Sequence, residues 1–323
     1  FRSYLRGFMK DWTDNNLKAD GSKYNLYSDG LKIYTTINSK MQKYAEESVT
    51  EHMKNLQKEF FIQNDTLSTA PFRDLDEDEE ESIMKNSMRR SERWRKARLS
   101  GKSADEIEEI FNAPTEMSVF SWEGDIDTMM TPIDSIRYYK HFLQAGMMSM
   151  NPKNGHVMAW VGGINYRNFQ YDHVMQSKRQ IGSTFKPFLY ATAIDQLKLS
   201  PCDMLPDAIH CIEPFKYGNP DPWCPTNSSN NYGGMRTLSN ALANSKNTIS
   251  AQLIDRVGPR PVADLARNLG VSSNIPNVPA IALGTPDLSV YEMVGAYGAF
   301  ANKGIYVKPI MVTRIEDRNG KIV

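Results

Sequence analysis

The sequence predicts an α/β chain of the α+β type, with an antiparallel sheet covered by helices on both faces. Three observations carry that expectation. Leu31, Ile33, Thr35 and Ile37 alternate with Lys32, Tyr34 and Thr36 as a strand does, and the chain then switches to helical spacing at Met41, Ala45, Val49, Met53 and Leu56. Residues 147–150 and 156–161 flank the turn Asn151-Pro152-Lys153-Asn154-Gly155 as a hairpin whose strands are apolar on both faces. Such strands belong inside a sheet covered on each side, not in a half-exposed one. Beyond residue 183, apolar helical runs with capping signals dominate.

Bulk properties narrow the classes. At 323 residues the chain can bury an ample core, and its 38 Lys and Arg against 38 Asp and Glu leave no net charge, so nucleic acid is not an expected partner. No apolar run reaches the roughly 20 residues of a membrane span, and Phe1-Arg2-Ser3-Tyr4-Leu5 does not read as a signal peptide. Because the chain begins without Met and ends on strand-like Lys321-Ile322-Val323, it reads as a piece of something longer. Cys202, Cys211 and Cys224 are odd in number and irregular in spacing, a poor zinc signature even beside His210. No metal and no cofactor are expected. One disulfide and one free thiol fit an oxidising compartment, with the pairing open.

In chain order, residues 1–30 are polar and mixed, ending in the turn signal Tyr27-Ser28-Asp29-Gly30. The strand at 31–37 and a helix capped by Asn38 and running to about Phe60 follow. Residues 61–115 hold an acidic block, 74–81, and a basic block at Arg89, Arg90, Arg93, Arg95, Lys96 and Arg98, which read as a solvated surface insert. Ser103 with Glu106 boxes a helix through Phe111; residues 117–122 are strand material; Thr131-Pro132 opens a helix through Leu143. After the hairpin, a helix is expected from Ser183 to about Leu197, short helices at 236–244 and from Ile249 to Val257, one from Pro261 to Gly270, and one capped by Ser289 with Glu292 and running to Gly304. Residues 305–315 are strand material.

The chemistry concentrates at Arg179-Gln180-Ile181-Gly182-Ser183-Thr184-Phe185-Lys186-Pro187. Gly182 permits a sharp turn and Pro187 is tolerable only in a first helical turn, so Ser183 is expected at a helix N-terminus. There free N–H groups favour negative charge on oxygen, and an amine three residues on shares its face. Ser82-Ile83-Met84-Lys85 has the same spacing, but the acidic run beside it would raise the pKa of Lys85, and it is set aside. Ser245-Lys246-Asn247 falls at a helix-to-helix junction, where a hydroxyl and an amide can point into a cleft together. Whether Lys246 faces the pair is left open.

These stretches, with Tyr34-Thr35-Thr36-Ile37-Asn38, Ala159-Trp160-Val161-Gly162-Gly163, Ala282-Leu283-Gly284 and 296–302, resemble in order the transpeptidase module of class A penicillin-binding proteins. The resemblance implies the fold of penicillin-binding transpeptidases and serine β-lactamases, incomplete at its C-terminal end. It implies Ser183 as acyl-accepting nucleophile with its own N–H as an oxyanion donor, Lys186 as base, Ser245 as proton relay and Asn247 as substrate-binding amide. It also implies D-alanyl-D-alanine stem peptides of peptidoglycan and an amine acceptor as substrates, β-lactams as covalent inhibitors, and cell-wall synthesis proteins as further partners. The location implied is the extracytoplasmic face of the membrane, with the anchor and a glycosyltransferase domain lying outside this chain.

On this reading residues 1–30 are a linker remnant, 31–60 and 116–323 the transpeptidase domain, and 61–115 the insert. The family's Lys-Thr/Ser-Gly motif is missing. Lys153-Asn154-Gly155 precedes the serine and forms a turn, so the chain is expected to be weakly active or inactive by itself. The alternatives are a carboxypeptidase or β-lactamase-like hydrolase with the same serine and lysine, and a non-catalytic cell-wall scaffold.

Overall fold

The first stretch, which reads as polar and mixed in sequence, is a helix, α1 (Arg2–Asn15), in a computed structural model that describes residues 1–67 and 69–323. Phe1, Leu5, Met9 and Trp12 fall at helical spacing; Met9 is buried, and the Tyr4 ring lies 4.8 Å from that of Trp160. Strand β1 (Lys32–Thr35) and helix α2 (Ser39–Asn64) follow as expected, the side chain of Asn38 accepting from the N–H groups of Lys40 and Met41.

The charged stretch is mostly helical: α3 (Glu77–Arg90), α4 (Glu92–Leu99) and α5 (Ala104–Asn112). In α3 four acids occupy the first turn and Arg89 and Arg90 the last, so these charges complement the helix macrodipole. Asp76 with Glu79 and Ser103 with Glu106 form full capping boxes. Strands β2 (Thr115–Val119) and β3 (Ile126–Met130) pair, and Thr131 caps α6 (Pro132–Lys140), which ends before Leu143.

The hairpin β4 (Met147–Met150) and β5 (Val157–Val161) leads through β6 (Arg179–Gln180) to α7 (Lys186–Leu197). Then come β7 (Met204–Pro206), β8 (Met235–Thr237), α8 (Leu238–Ala243), α9 (Asn247–Val257), α10 (Pro259–Asn268), β9 (Asp287–Leu288), α11 (Val290–Ala301) and β10 (Val312–Glu316).

Residues 1–45, 146–162 and 171–323 form one unit, and residues 46–145 and 163–170 the other. In the second, Ile107 and Phe111 pack with Met88, Trp94 and Ile136, while Met53, Phe120, Phe142 and Ile164 form a separate aromatic cluster. Gln57, fully buried there, is satisfied by the carbonyl of His141 and the N–H of Leu143.

In the first unit all strand pairs are antiparallel two-stranded ladders, β1 with β10, β4 with β5, β6 with β9 and β7 with β8. Bonds from Asn38 N–H to Met158 O and from Val157 N–H to Ile310 O tie the first two together. Gln42 extends β5 sideways, its side chain exchanging two hydrogen bonds with the backbone of Trp160. As its apolar pattern predicts, β5 is buried at four of its five positions, and Trp160 and Val157 pack with Tyr4, Met311, Tyr291 and Val294. The larger core lies among α7, α8, α9, α10 and α11, where Phe185, Phe188, Leu189, Ile249, Leu253 and Ile281 are fully buried. Each such side chain contributes about 1.5–3 kcal/mol by leaving water. That core is what holds the start of α7 rigid.

Candidate active site

Ser183 lies in a 3-10 turn, Gly182–Phe185, and α7 begins only at Lys186, so serine and lysine straddle a helix junction and do not share a regular helix face. Gly182 has φ +56°, which its lack of a side chain allows. The turn is held from outside. Gly182 N–H donates to Gly284 O and Ile181 N–H to Pro286 O, while Arg179 and Gln180 pair with Leu288 and Asp287. Gly284 sits so close that a Cβ there would lie 1.7 Å from Gly182 O. Tyr297 donates from its hydroxyl to Thr184 O at 2.5 Å. Ser183 is exposed, and its N–H, in the first turn of the 3-10 helix, points where no preceding helical carbonyl can reach.

Lys186 is 1% exposed. Its Nζ donates to Ser245 O at 2.7 Å, Ser245 Oγ at 2.9 Å and Asn247 Oδ1 at 2.6 Å, which uses all three ammonium hydrogens. Burial pushes its pKa down to about 8. Among the described residues no hydrogen bond joins Nζ to the Ser183 hydroxyl.

Ser245 owes its place to the end of α8. Ser245 N–H donates to Leu242 O and Lys246 N–H to Ala241 O, the paired bonds of a Schellman motif, with Ser245 at φ +52° in the position usually given to glycine. A left-handed serine costs roughly 1 kcal/mol, and here it carries a hydroxyl to the buried amine. Asn247 opens α9; its Nδ2 donates to Thr226 O at 2.8 Å while its Oδ1 faces Lys186. Sequence reading therefore named four residues that the fold gathers into one unit, three of them in a single hydrogen-bond cluster and the fourth one turn before the lysine.

It missed the supports Asp207 and Asn227, and it marked Gly284 only as part of a stretch carrying the resemblance, with no role at the Ser183 turn. The first two sit in the loop-rich stretch that holds the disulfide Cys211–Cys224 and has no periodicity to follow. Cys202 is free and exposed. Lys246, whose direction was open, bonds Asp207 Oδ2 at 2.8 Å and does not face Lys186. The set-aside Lys85 pairs with Glu81 on an exposed helix face. No group of acidic, His and Cys side chains suited to a metal occurs among the described residues.

The family model of the penicillin-binding protein transpeptidase domain matches residues 145–322, more than half of the chain. The chain belongs to the penicillin-binding protein transpeptidase family. Residues 67–143 match the penicillin-binding protein middle domain, so the charged helices lie within a family element. Penicillin-binding protein 1A of Rickettsia bellii is 26% identical over 96% of this chain and 41% of its own length, and that of Aquifex aeolicus 27% identical over 100% and 43%. Penicillin-binding protein 1A of Neisseria meningitidis is 34% identical over 56% of this chain and 22% of its own. The chain thus spans about two fifths of the relatives it matches along its whole length. In fold it is similar to penicillin-binding protein 1A of Haemophilus influenzae, with a TM-score of 0.63, 22% identity, and coverage of 99% of this chain and 49% of that one.

Within this transpeptidase fold, the hairpin turn at Lys153-Asn154-Gly155 packs against Val307 and Lys308, where a Cβ on Gly155 would strike Lys308 O at 2.4 Å. It is a structural turn with Gly155 at φ +74°.

Proposed function

We propose that the domain cross-links peptidoglycan as a DD-transpeptidase. The observation that supports this best is the buried Lys186 ammonium bound to Ser245 and Asn247, one turn from Ser183, in a chain of this family. In the first step Ser183 Oγ attacks the carbonyl between the two D-alanines, with its proton taken by neutral Lys186. The oxyanion forms against the Ser183 N–H. Ser245, already bonded to Lys186 Nζ, passes that proton to the leaving D-alanine nitrogen as the peptide bond breaks. A free lysine would be neutral roughly once in a few thousand at pH 7, whereas a pKa of about 8 leaves roughly a tenth neutral. In the second step a stem-peptide amine attacks the ester, gives up a proton along the reverse path, and regenerates Ser183. Asn247 aligns the donor backbone. β-Lactams acylate the same serine and leave slowly.

An extracytoplasmic location fits the Cys211–Cys224 disulfide, since such bonds persist in oxidising compartments. The anchor, the glycosyltransferase partner domain and contacts with other cell-wall synthesis proteins belong to the same proposal.

The test is fluorescent-penicillin labelling of the full-length protein together with release of D-alanine, with and without an amine acceptor. Labelling lost in Ser183→Ala and cross-linked product that requires the acceptor support the reading. D-Alanine release that ignores the acceptor would make it a carboxypeptidase, and wild-type protein that never labels would make it a scaffold.

A further inference from the structure

Lys246 stands between the two site residues on extended backbone, with φ −67° and ψ 116°. It joins the left-handed Ser245 to the first residue of α9, and along this arm Ser245 and Asn247 reach Lys186 Nζ while Lys246 reaches Asp207 on the other side.

The far side holds a built anchor. Lys246 Nζ lies 2.8 Å from Asp207 Oδ2, with the lysine side chain 13% exposed and that of Asp207 fully buried, and Arg236 Nε faces the same oxygen from 3.7 Å. Asp207 Oδ1 accepts from Thr248 Oγ1 and from Asn227 Nδ2, each at 2.8 Å. Asn227 Oδ1 in turn accepts the N–H groups of Asn247 and Thr248, at 2.9 and 3.3 Å. That second set of bonds does the work of a helix cap. The residue at the N-cap of α9 is Lys246, which has no side-chain acceptor, and its place is taken by an asparagine from the disulfide-bearing segment. Burial alone would raise the pKa of Asp207, but hydrogen bonds from Lys246, Thr248 and Asn227 outweigh it and hold the carboxyl ionised.

We infer that Asp207 and Lys246 act as a positioning pair for the transpeptidase site, their buried ion pair fixing the direction in which Ser245 and Asn247 face. This rests on the proposed roles of Lys186, Ser245 and Asn247. Neither member of the pair reaches the Lys186 amine, so both act through the arm that they orient. A pair that served stability alone would leave the properties of Lys186 unchanged. A positioning pair does not. If the arm swings, the Lys186 ammonium loses the acceptors on Ser245 and Asn247, its charged form is less favoured, and its pKa drops further below the lysine range.

The experiment uses full-length protein and the variants Lys246→Met, Asp207→Asn and the two combined. The Lys186 midpoint is followed by NMR with lysine labelled at the ε-carbon, and acylation by a fluorescent penicillin is timed between about pH 6 and pH 9. Each single substitution is expected to cut the high-pH acylation rate at least about tenfold and to move the Lys186 midpoint downward by about half a unit or more. The double variant is expected to do no worse than the more damaging single one, because the two residues act as a unit. It also removes both charges of the pair together and leaves only the partly exposed Arg236 beside residue 207, so the decision rests on it. An unmoved Lys186 midpoint with acylation within about twofold of wild type in the double variant overturns the inference, as do single losses that simply multiply. The NMR midpoint requires no reactivity. Wild-type protein that does not react with penicillin would sink the transpeptidase reading, while the titration still decides the positioning pair.

Discussion

Ser245 shows how chemistry and stability compete at one residue. Its left-handed backbone would suit glycine, while its hydroxyl accepts a hydrogen bond from Lys186. Ser245→Gly relieves about 0.5–1 kcal/mol of backbone cost and gives up one hydrogen bond of about the same worth, so its denaturation midpoint should barely move. Ser245→Ala keeps the strain and loses the bond, and should be about 1 kcal/mol less stable than the glycine variant. Both should lose roughly a hundredfold to ten-thousandfold in acyl transfer, the usual range for a proton-transfer group, measured as D-alanine release. Lys186 sets the pH dependence. In its proposed role it must be neutral to accept the Ser183 proton, and burial brings its pKa to about 8, so acylation should fall about tenfold per pH unit below that value and level off above it. The sign for stability runs the same way. The folded pKa lies below the free-lysine value, so the unfolded chain binds more protons between the two, and stability rises with pH across that window.

At the scale of elements, what was legible and what was not divide by sequence distance. Capping boxes at Ser103 and Ser289, the Asn38 cap and the hairpin at 147–161 are written within a few residues, and the fold contains each of them. Helix α1 has the right spacing but a polar composition, and the packing of Tyr4 on Trp160 that makes it plausible joins residues 156 apart in the chain. The helix expected to begin at Ser183 starts instead at Lys186, because the turn before it is shaped by contacts with residues 284–288. Those contacts have a direct consequence. Gly284 is at φ +81° and a Cβ on it would meet Gly182 backbone atoms at 1.7 to 2.6 Å, so neither side chain nor rotamer can yield. Gly284→Ala should therefore displace the Ser183 turn and destabilise by more than the roughly 1 kcal/mol of a left-handed alanine. Acylation per folded molecule, counted by active-site titration, should drop about a hundredfold, since a misplacement of about 1 Å costs that much. A drop that merely tracks the folded fraction would refute the coupling between the two glycines.

Across the whole molecule, the four proposed site residues stood out because their motifs are short and local, whereas the framework that holds them did not, because it comes from an aperiodic segment. Residues 201–235 contribute Asp207, Thr226 and Asn227, all bonded to the arm that carries Ser245 and Asn247. Within itself this segment is held by the β7–β8 ladder and by the Cys211–Cys224 bond reinforced by the paired backbone of Ile212 and Trp223, and His210, Lys216 and Tyr217 tie it to Asp255 of α9. The cysteines lie 13 residues apart, and closing a loop of that size restricts the unfolded chain by about 3 kcal/mol. Replacing both with serine should lower the melting temperature by several degrees, as about 1 kcal/mol already shifts a domain of this size by about 2 °C or more. Function should suffer beyond that loss. Thr226 lies two residues from Cys224 and holds the amide of Asn247, so a looser segment should slow penicillin acylation at temperatures where the variant is still fully folded. If acylation at such temperatures matches wild type, the disulfide serves stability alone, and the orientation of Asn247 rests on Asp207 and Asn227 without it.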